Sequence, residues 1–465
     1  MNTFKSFLGA TLALSCVATN VAHSAELAAG AAAVDITPPV PYRMEGYFSE
    51  RLSTGIHDPL WAKALVLRQG EEQMALVFCD LCMVPNDVTT AARRLAEQQT
   101  GIPAHRILIA ATHSHTGPLY ASSLREYFHQ QAVAKNGNDP HEIVDYPAEL
   151  SRRLAQAVAD AAKTSQAARI KAGVAQQRGL SFNRRFHMKD GSVRFNPGQL
   201  NPDIVRPAGP IDPDVGILLV DRAKDRQPMA SLTVFALHLD TTGGTLYSAD
   251  YPYYLEQTLR QSLGQGLVSL FGTGTCGDIN HIDVTTRERL KTQHIGETLA
   301  ATVRAKIPEL EPIAQPRLAV RSQTVSLPLR QYTPAEIAAA REAMHKIGTK
   351  ELSFLDQVKA YEIMNFVLRG PGPLPALVQV FRLSDEVALV GLPGEVFVDL
   401  GLAIKKASPF KTTMVVELSQ DCPDYVPTRR AFTEGSYETV CSWIEPGGGE
   451  KLVEAAVAML KELKP

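Results

Sequence analysis

A mixed α/β architecture is the fold class that this 465-residue chain predicts, on three observations. Short apolar runs alternate with amphipathic stretches over most of the length, the pattern of strands and helices following one another. Breakers and capping residues fall between these runs: Gly101, the Thr333-Pro334-Ala335-Glu336 box and the Gly370-Pro371-Gly372-Pro373 cluster. Apolar residues make up 45% and charged residues 21%, an ordinary globular balance that supports a sizeable core. With a formal net charge of −2, nothing argues for a nucleic-acid partner or an anionic membrane surface.

Taken in order, the chain opens with an export signal. Lys5 precedes a short apolar core at 7–18, and the small residues Ala22 and Ser24 offer a cleavage site. Residues 1–24 therefore read as a signal peptide, with a mature start near Ala25 and a periplasmic or secreted product. Lipid anchoring at Cys16 is the alternative, although Ala13-Leu14-Ser15 matches a lipobox poorly. No run is long enough for a transmembrane segment. The length suits two or three domain-sized units or one elaborated one. No internal repeat and no clear linker divides residues 25–465.

Residues 30–34 and 61–68 read as strands around the Thr37-Pro38-Pro39 loop, and 74–84 as a further apolar strand. A helix is expected at 88–99, stopped by Gly101, then a buried strand at 106–111 and a second helix at 147–163. Strands follow at 215–221 and 228–237, the second running straight into His238. Next come a helix at 252–263, a strand at 266–272 and a long helix at 287–306. Thr333 as N-cap, Pro334 at N1 and Glu336 at N3 open a helix to about 347. Residues 376–383 and 386–392 resemble a hairpin that ends at Pro393-Gly394-Glu395. Helices close the chain at 396–406 and 451–463. Residues 310–375, ending in the breaker cluster, are the expected insertion or lid.

Beyond Cys16 the chain holds Cys79, Cys82, Cys276, Cys422 and Cys441. In an oxidising compartment Cys422 and Cys441 are spaced to close a loop worth about 3 kcal/mol. Cys79 and Cys82, placed within the 74–84 strand, would point to opposite faces as buried small residues rather than a redox pair.

Chemistry concentrates at strand ends. Thr112-His113-Ser114-His115-Thr116-Gly117-Pro118 follows the 106–111 strand, and histidines at i and i+2 of a strand share one side. Such a pair ligates a metal jointly, or splits between metal and substrate, or is two turn histidines with no role. His238 ends its strand near Asp240. Glu395 is placed at a helix start, where a carboxylate is favoured and where capping is the plain reading. The turn Gly274-Thr275-Cys276-Gly277-Asp278-Ile279-Asn280-His281 lacks phosphate-loop spacing, but such turns present N–H groups to an oxyanion. Tyr425 and Tyr437 lie in a loop with Arg429 and Arg430. Two imidazoles and a carboxylate suit Zn²⁺ with an open position for water.

Five segments in series carry a family resemblance. They are Ala33-Val34-Asp35-Ile36-Thr37-Pro38 with Thr54-Gly55-Ile56-His57-Asp58-Pro59-Leu60-Trp61-Ala62, the 112–118 motif, Phe182-Asn183-Arg184, Gly391-Leu392-Pro393-Gly394-Glu395, and Tyr425-Val426-Pro427-Thr428 with Tyr437-Glu438. Together they resemble the catalytic domain of the neutral (non-lysosomal) ceramidase superfamily, which implies that residues 25–465 form a single catalytic domain. The resemblance implies that His113, His238, Glu395 and Tyr425 are zinc ligands, and that His115, Arg184 and Tyr437 bind or polarise the scissile carbonyl. It implies hydrolysis of an amide bond in a small or lipid-like N-acyl substrate. Asn280 stands where the family carries a serine in the glycine-rich turn; its amide can donate a hydrogen bond but is no nucleophile. The chain ends about thirty residues after Tyr437, so the family's C-terminal β-sandwich is not expected. These two departures keep open a zinc hydrolase of an ester, lactone or sugar-derived substrate, and, less favoured, a silent binding protein on the same fold.

Overall fold

The computed structural model describes residues 26–465. The expected signal peptide, its cleavage site and Cys16 lie outside the described residues. The backbone is mixed α/β, built on two sheets. The larger runs, edge to edge, through strands Val268–Thr273, Pro228–Phe235, Asp214–Arg222, Gln166–Gln176, Leu27–Asp35, Trp61–Gln69, Glu72–Cys79 and Ile107–Ala111, with Glu311–Pro312 beside Gln166–Gln176. Its centre is antiparallel, but each end closes on a parallel pair: Glu72–Cys79 with Ile107–Ala111, and Pro228–Phe235 with Val268–Thr273. The second sheet orders Ala319–Leu327, Leu374–Arg382, Val387–Gly391 and Thr412–Val416, and its last pair is also parallel.

The two sheets pack face to face. Leu76, Phe78, Leu108, Leu232 and Leu270 of the first meet Phe381, Leu389, Met414 and Val416 of the second in one buried cluster. Helices cover the outer faces. Asn86–Thr100 and Tyr146–Lys163 bury Ala92, Ala96, Leu150, Leu154 and Val158 against one end of the large sheet. Tyr251–Leu263 and Thr292–Lys306 cover the other end through Leu255, Leu259, Leu299 and Val303. Val398–Ala407 and Gly448–Leu463 close the second sheet with Leu400, Ile404, Leu452 and Leu460. Strands such as Ile107–Ala111, every residue of which is buried, are thus sandwiched on both faces and read as unbroken apolar runs.

The expected elements are present with revised ends. The 74–84 strand stops at Cys79, because Leu81 N–H turns back to the Cys79 carbonyl and Asp80 accepts the Trp61 N–H. Cys82 therefore lies in a turn, not on the opposite face of a strand. The 287–306 helix starts only at Thr292. The capping box at Thr333 forms in full: its hydroxyl accepts the Glu336 N–H, and Glu336 accepts the Thr333 N–H. Within 310–375, Ala319–Leu327 is a sheet strand paired from Ala319 with Arg382 to Leu327 with Leu374. The part that leaves the sheet is a helical hairpin, Pro334–Met344 and Phe354–Arg369.

No bridge joins Cys422 to Cys441; both are free thiols. They belong to different cores, Cys422 packing against the cluster under the large sheet and Cys441 sitting inside the cluster under the small one.

Candidate metal centre

Three strand ends with parallel neighbours deliver the site. Ile107–Ala111 leads to His113, Pro228–Phe235 to His238, and Val387–Gly391 to Glu395. At the carboxyl ends of parallel strands the chain leaves the sheet, and ligand groups collect there. His113 reaches the site by a route other than strand alternation. Its backbone is left-handed at φ 76, with its N–H held by the Leu81 carbonyl at 2.8 Å. That twist turns both imidazoles inward, so His113 Nε2 and His115 Nε2 stand 3.2 Å apart. Glu395 is likewise not in a helix. It pairs with Tyr425 in the short parallel bridge Glu395–Val396 with Tyr425–Val426, and the helix begins only at Val398. Tyr425 is thus in a strand, and Tyr437 opens the helix Tyr437–Cys441.

His113 Nε2, His238 Nε2 and Glu395 Oε2 form a near-equilateral triangle. The nitrogens lie 3.1 Å apart, and the oxygen lies 3.3 Å from His113 and 3.2 Å from His238. Ligands at about 2.0–2.1 Å from a tetrahedral zinc are separated by about 3.3 Å, so the triangle has the size of one face of such a site. Tautomers agree. His113 Nδ1 meets the Cys82 carbonyl at 2.9 Å, and His238 Nδ1 meets the Cys276 carbonyl at 3.0 Å. A carbonyl accepts only, so each Nδ1 carries a proton and each Nε2 faces the triangle, that of His238 accepting from Arg184 Nη1 at 3.2 Å. Glu395 Oε2 is shut off from water and makes no directed hydrogen bond, although both rings lie at ion-pair distance. Buried oxygens in that state are unusual. Together these features fit a divalent cation with nitrogen and oxygen ligands.

Electrostatics point the same way. Burial alone would raise the Glu395 carboxyl, but His113 and His238 hold it well below the usual range. Burial, Arg184 and His113 lower His238, while burial and His113 push His115 down to about 3, so both rings are neutral. Burial opposes a charge on His113 too, yet Cys82 and Glu395 raise it well above an ordinary imidazole. A single proton at His113 bridges one contact of the triangle at a time; a cation would displace it and satisfy all three.

Tyr425, the fourth expected ligand, is buried beside the triangle, and its hydroxyl accepts from Arg184 Nη2 at 2.9 Å. Burial raises its phenol well above the usual value, against the pull of Arg184. Arg184 does not line the cavity. It is buried against the ligands, with Nη1 3.2 Å from His238 Nε2, Nη2 donating to the Gly277 carbonyl at 2.8 Å and Nε donating to Glu438 at 3.0 Å. His115 and Tyr437 do line a cavity of about 650 Å³ that contains His113, Glu395 and Tyr425. Asn280 does not. Its amide donates to Asn196 at 2.8 Å and accepts the Ile282 N–H at 3.0 Å, so both ends are used within the protein.

Three supporting groups carry no separate signal in the sequence reading. Glu438, fully buried, ties Arg184 and Arg185 together. Glu417 accepts from Val396 N–H at 2.7 Å and Cys276 N–H at 3.1 Å, which fixes the segments carrying Glu395 and the carbonyl under His238. Glu45 lines the cavity, from the run Met44-Glu45-Gly46-Tyr47. Of the three, only Glu438 adjoins a motif residue in sequence, next to Tyr437.

A family model described as neutral/alkaline non-lysosomal ceramidase, N-terminal, matches residues 27–280. No curated protein matches the chain. Among solved structures, the neutral ceramidase from Pseudomonas aeruginosa is similar at 20% identity and a TM-score of 0.69, over 95% of this chain and 76% of that one. A structure described as ceramidase complexed with C2 is similar at 19% identity and a TM-score of 0.69, over 95% of this chain and 75% of that one. At such identities the likeness shows the fold.

Proposed function

The chain belongs to the neutral/alkaline non-lysosomal ceramidase family, and from that premise we propose that it is an exported, zinc-dependent hydrolase of the amide bond in an N-acyl substrate. One observation carries the reading: His113 Nε2, His238 Nε2 and the unpartnered Glu395 Oε2 converge within 3.1–3.3 Å at a cavity of about 650 Å³. In this reading His113, His238 and Glu395 hold the metal, with the Tyr425 hydroxyl as fourth donor. Bound zinc supplies a Lewis acid and brings water to a nucleophilic state near neutral pH.

The remaining roles fall to the chain itself. The neutral His115 ring and the Tyr437 phenol, both in the cavity, are placed to hydrogen-bond the scissile carbonyl and the oxyanion that grows from it. Arg184 acts one step back. Its guanidinium favours an ionised Tyr425 and binds the Gly277 carbonyl, so it orients the ligand rather than the substrate. Leu124, Phe48, Tyr361 and Leu374 give the cavity apolar wall suited to an acyl chain. Export rests on residues 1–24, read above as a signal peptide.

A second reading keeps the metal but acts on an ester or lactone. It is favoured by Asn280, which stands in place of the family serine and whose amide is tied to Asn196 and Ile282. One experiment separates them: purified protein is assayed for zinc, then for chelator-sensitive cleavage of an N-acyl amide and its matched ester and lactone. About one zinc per chain with amide turnover is expected. Metal-free protein that still turns over would sink both readings, and cleavage of the ester or lactone alone would select the second.

A further inference from the structure

Asp58, from the run Thr54-Gly55-Ile56-His57-Asp58-Pro59, is 1% exposed and lines no part of the cavity. Three donors reach its carboxylate. Oδ1 accepts the Ala249 N–H at 2.7 Å, and Oδ2 accepts the Ser248 hydroxyl and His57 Nδ1, each at 2.7 Å. The short parallel pairing of Gly55–Ile56 with Leu246–Tyr247 brings these segments together. That pairing ends at Tyr247 and the next helix begins only at Tyr251, so no regular structure fixes the residues between.

The Ser248–Ala249 peptide faces two ways. Its N–H goes to Asp58, while its carbonyl accepts Ser114 Oγ at 2.6 Å and Thr116 Oγ1 at 2.9 Å. A peptide unit is planar, so pinning the N–H on one side sets where the carbonyl points on the other. The carbonyl oxygen has two lone pairs, and both are taken. Ser114 and Thr116, wholly buried, flank His115. The hydroxyls on either side of His115 therefore hang on one oxygen whose direction Asp58 sets. A carboxylate at the head of such a chain also polarises each bond that follows it. From the opposite flank the main chain of His115 is held by the Leu239 carbonyl at 3.1 Å and by Arg51 Nη2 at 2.8 Å.

We propose that Asp58 is a positioning residue for the hydrolysis: through the Ser248–Ala249 peptide it holds the 114–116 loop so that the His115 imidazole is presented to the cavity. The proposal rests on the role given to His115 in the amidohydrolase reading. Asp58 touches neither substrate nor metal, so its loss should slow turnover without loosening either.

Asp58→Asn is the direct test. An amide keeps one acceptor oxygen, so either the Ala249 N–H or the Ser248 hydroxyl meets a donor instead. On the zinc-loaded full chain, kcat for an N-acyl amide should fall about 10–100-fold, with KM and zinc affinity within about two-fold of the wild type. In a His115→Ala background the same change should cost less than about two-fold more, because two residues that act through one group are not additive. Ser248→Ala, which removes one of the two bonds to the strap, should lower kcat about five-fold and gives the same measurement if Asp58→Asn fails to fold. Wild-type kcat in the folded variant, a full multiplicative loss in the His115→Ala background, or a parallel loss of zinc affinity overturns the proposal. A second readout is independent of turnover. In protein with isotope-labelled histidine, the His115 ring signal, identified by its absence in His115→Ala, should shift or broaden in Asp58→Asn while those of His113 and His238 stay. An unmoved His115 signal overturns the proposal. If zinc-loaded wild type cleaves no amide, the amidohydrolase reading fails, and the ring signal still decides whether Asp58 positions His115.

Discussion

Gly277→Ala tests the metal centre without touching a ligand. A Cβ on Gly277 would sit 2.5 Å from the Glu395 carbonyl oxygen and 2.9 Å from its carbonyl carbon, with the Val396 carbonyl carbon 3.2 Å away. Ordinary contact begins near 3.4 Å, so the Glu395 backbone must retreat by about 0.9 Å or the turn must open by as much. The atoms in the way are backbone, held by the Gly277 N–H bond to Val396 at 3.0 Å, so no side chain can swing aside. A metal site tolerates only about 0.2 Å of ligand displacement. The Gly277 carbonyl also receives Arg184 Nη2, which bonds the Tyr425 hydroxyl, so the shift reaches a second proposed ligand. Overpacking should cost about 1–3 kcal/mol of stability. Zinc affinity should fall about 10–100-fold, as when groups supporting a ligand are removed. Chelator-competition titration gives the affinity, and urea unfolding in excess chelator gives the stability separately. Wild-type zinc affinity in a folded Gly277→Ala protein would refute the ligand role of Glu395.

Glu395→Gln should keep the shape of the triangle but lower zinc content and turnover at least ten-fold, since an amide is a poorer ligand; elemental analysis and an amidase assay check it. Glu417, pushed up to about 8 by burial, is protonated when folded and ionised when unfolded between about 4.5 and 8. Its contribution to stability is therefore fully present below about 4.5 and is lost as pH rises towards 8. Glu417→Gln, neutral throughout, should gain on the wild type by up to a few kcal/mol across that window, and parallel urea-unfolding curves at every pH would contradict this. Alkylation without prior reduction should label both Cys422 and Cys441 in denatured protein, and an intact mass lacking either adduct would restore the bridge. Thr333→Ala removes the cap of Pro334–Met344 and should cost about 1 kcal/mol, seen as roughly five-fold faster hydrogen exchange in that helix.

Local chemistry was legible where it is self-contained. The Thr333 capping box, Gly101 as a helix stop and the apolar 106–111 strand depend on a few neighbouring residues and formed as read. Positions set by distant pairing were not. Local sequence places Glu395 at a helix start, but its conformation is fixed by Tyr425, thirty residues later. Strand alternation groups the H-x-H pair, whereas a left-handed residue at His113 does the converging, a conformation that non-glycine sequence rarely announces. Gln166–Gln176 leaves little trace in the sequence because its alternation rests on Ala168, Ile170 and Ala172, too small an apolar signal. The helix Ser122–Asn136 buries only Ser123, Leu124 and Phe128, so no stripe marks it.

The same contrast explains how metal site and substrate wall can diverge. The proposed ligands are fixed from beneath by groups that reach no substrate: Glu417 on the Val396 and Cys276 amides, Glu438 on Arg184, and the Cys82 and Cys276 carbonyls on the two rings. Altering any one disturbs several others, because these bonds are buried and mutually dependent. Other lining of the cavity comes from elsewhere, Glu45 from the 42–48 loop and Glu362 from the Phe354–Arg369 helix outside both sheets. Glu45 and Glu362 contact no proposed ligand through a hydrogen bond, so they are free to change with the substrate while the metal triangle stays. On that reasoning Glu362→Gln should alter KM for the amide substrate with zinc affinity held within about two-fold. A parallel loss of zinc would show instead that wall and metal centre are one unit.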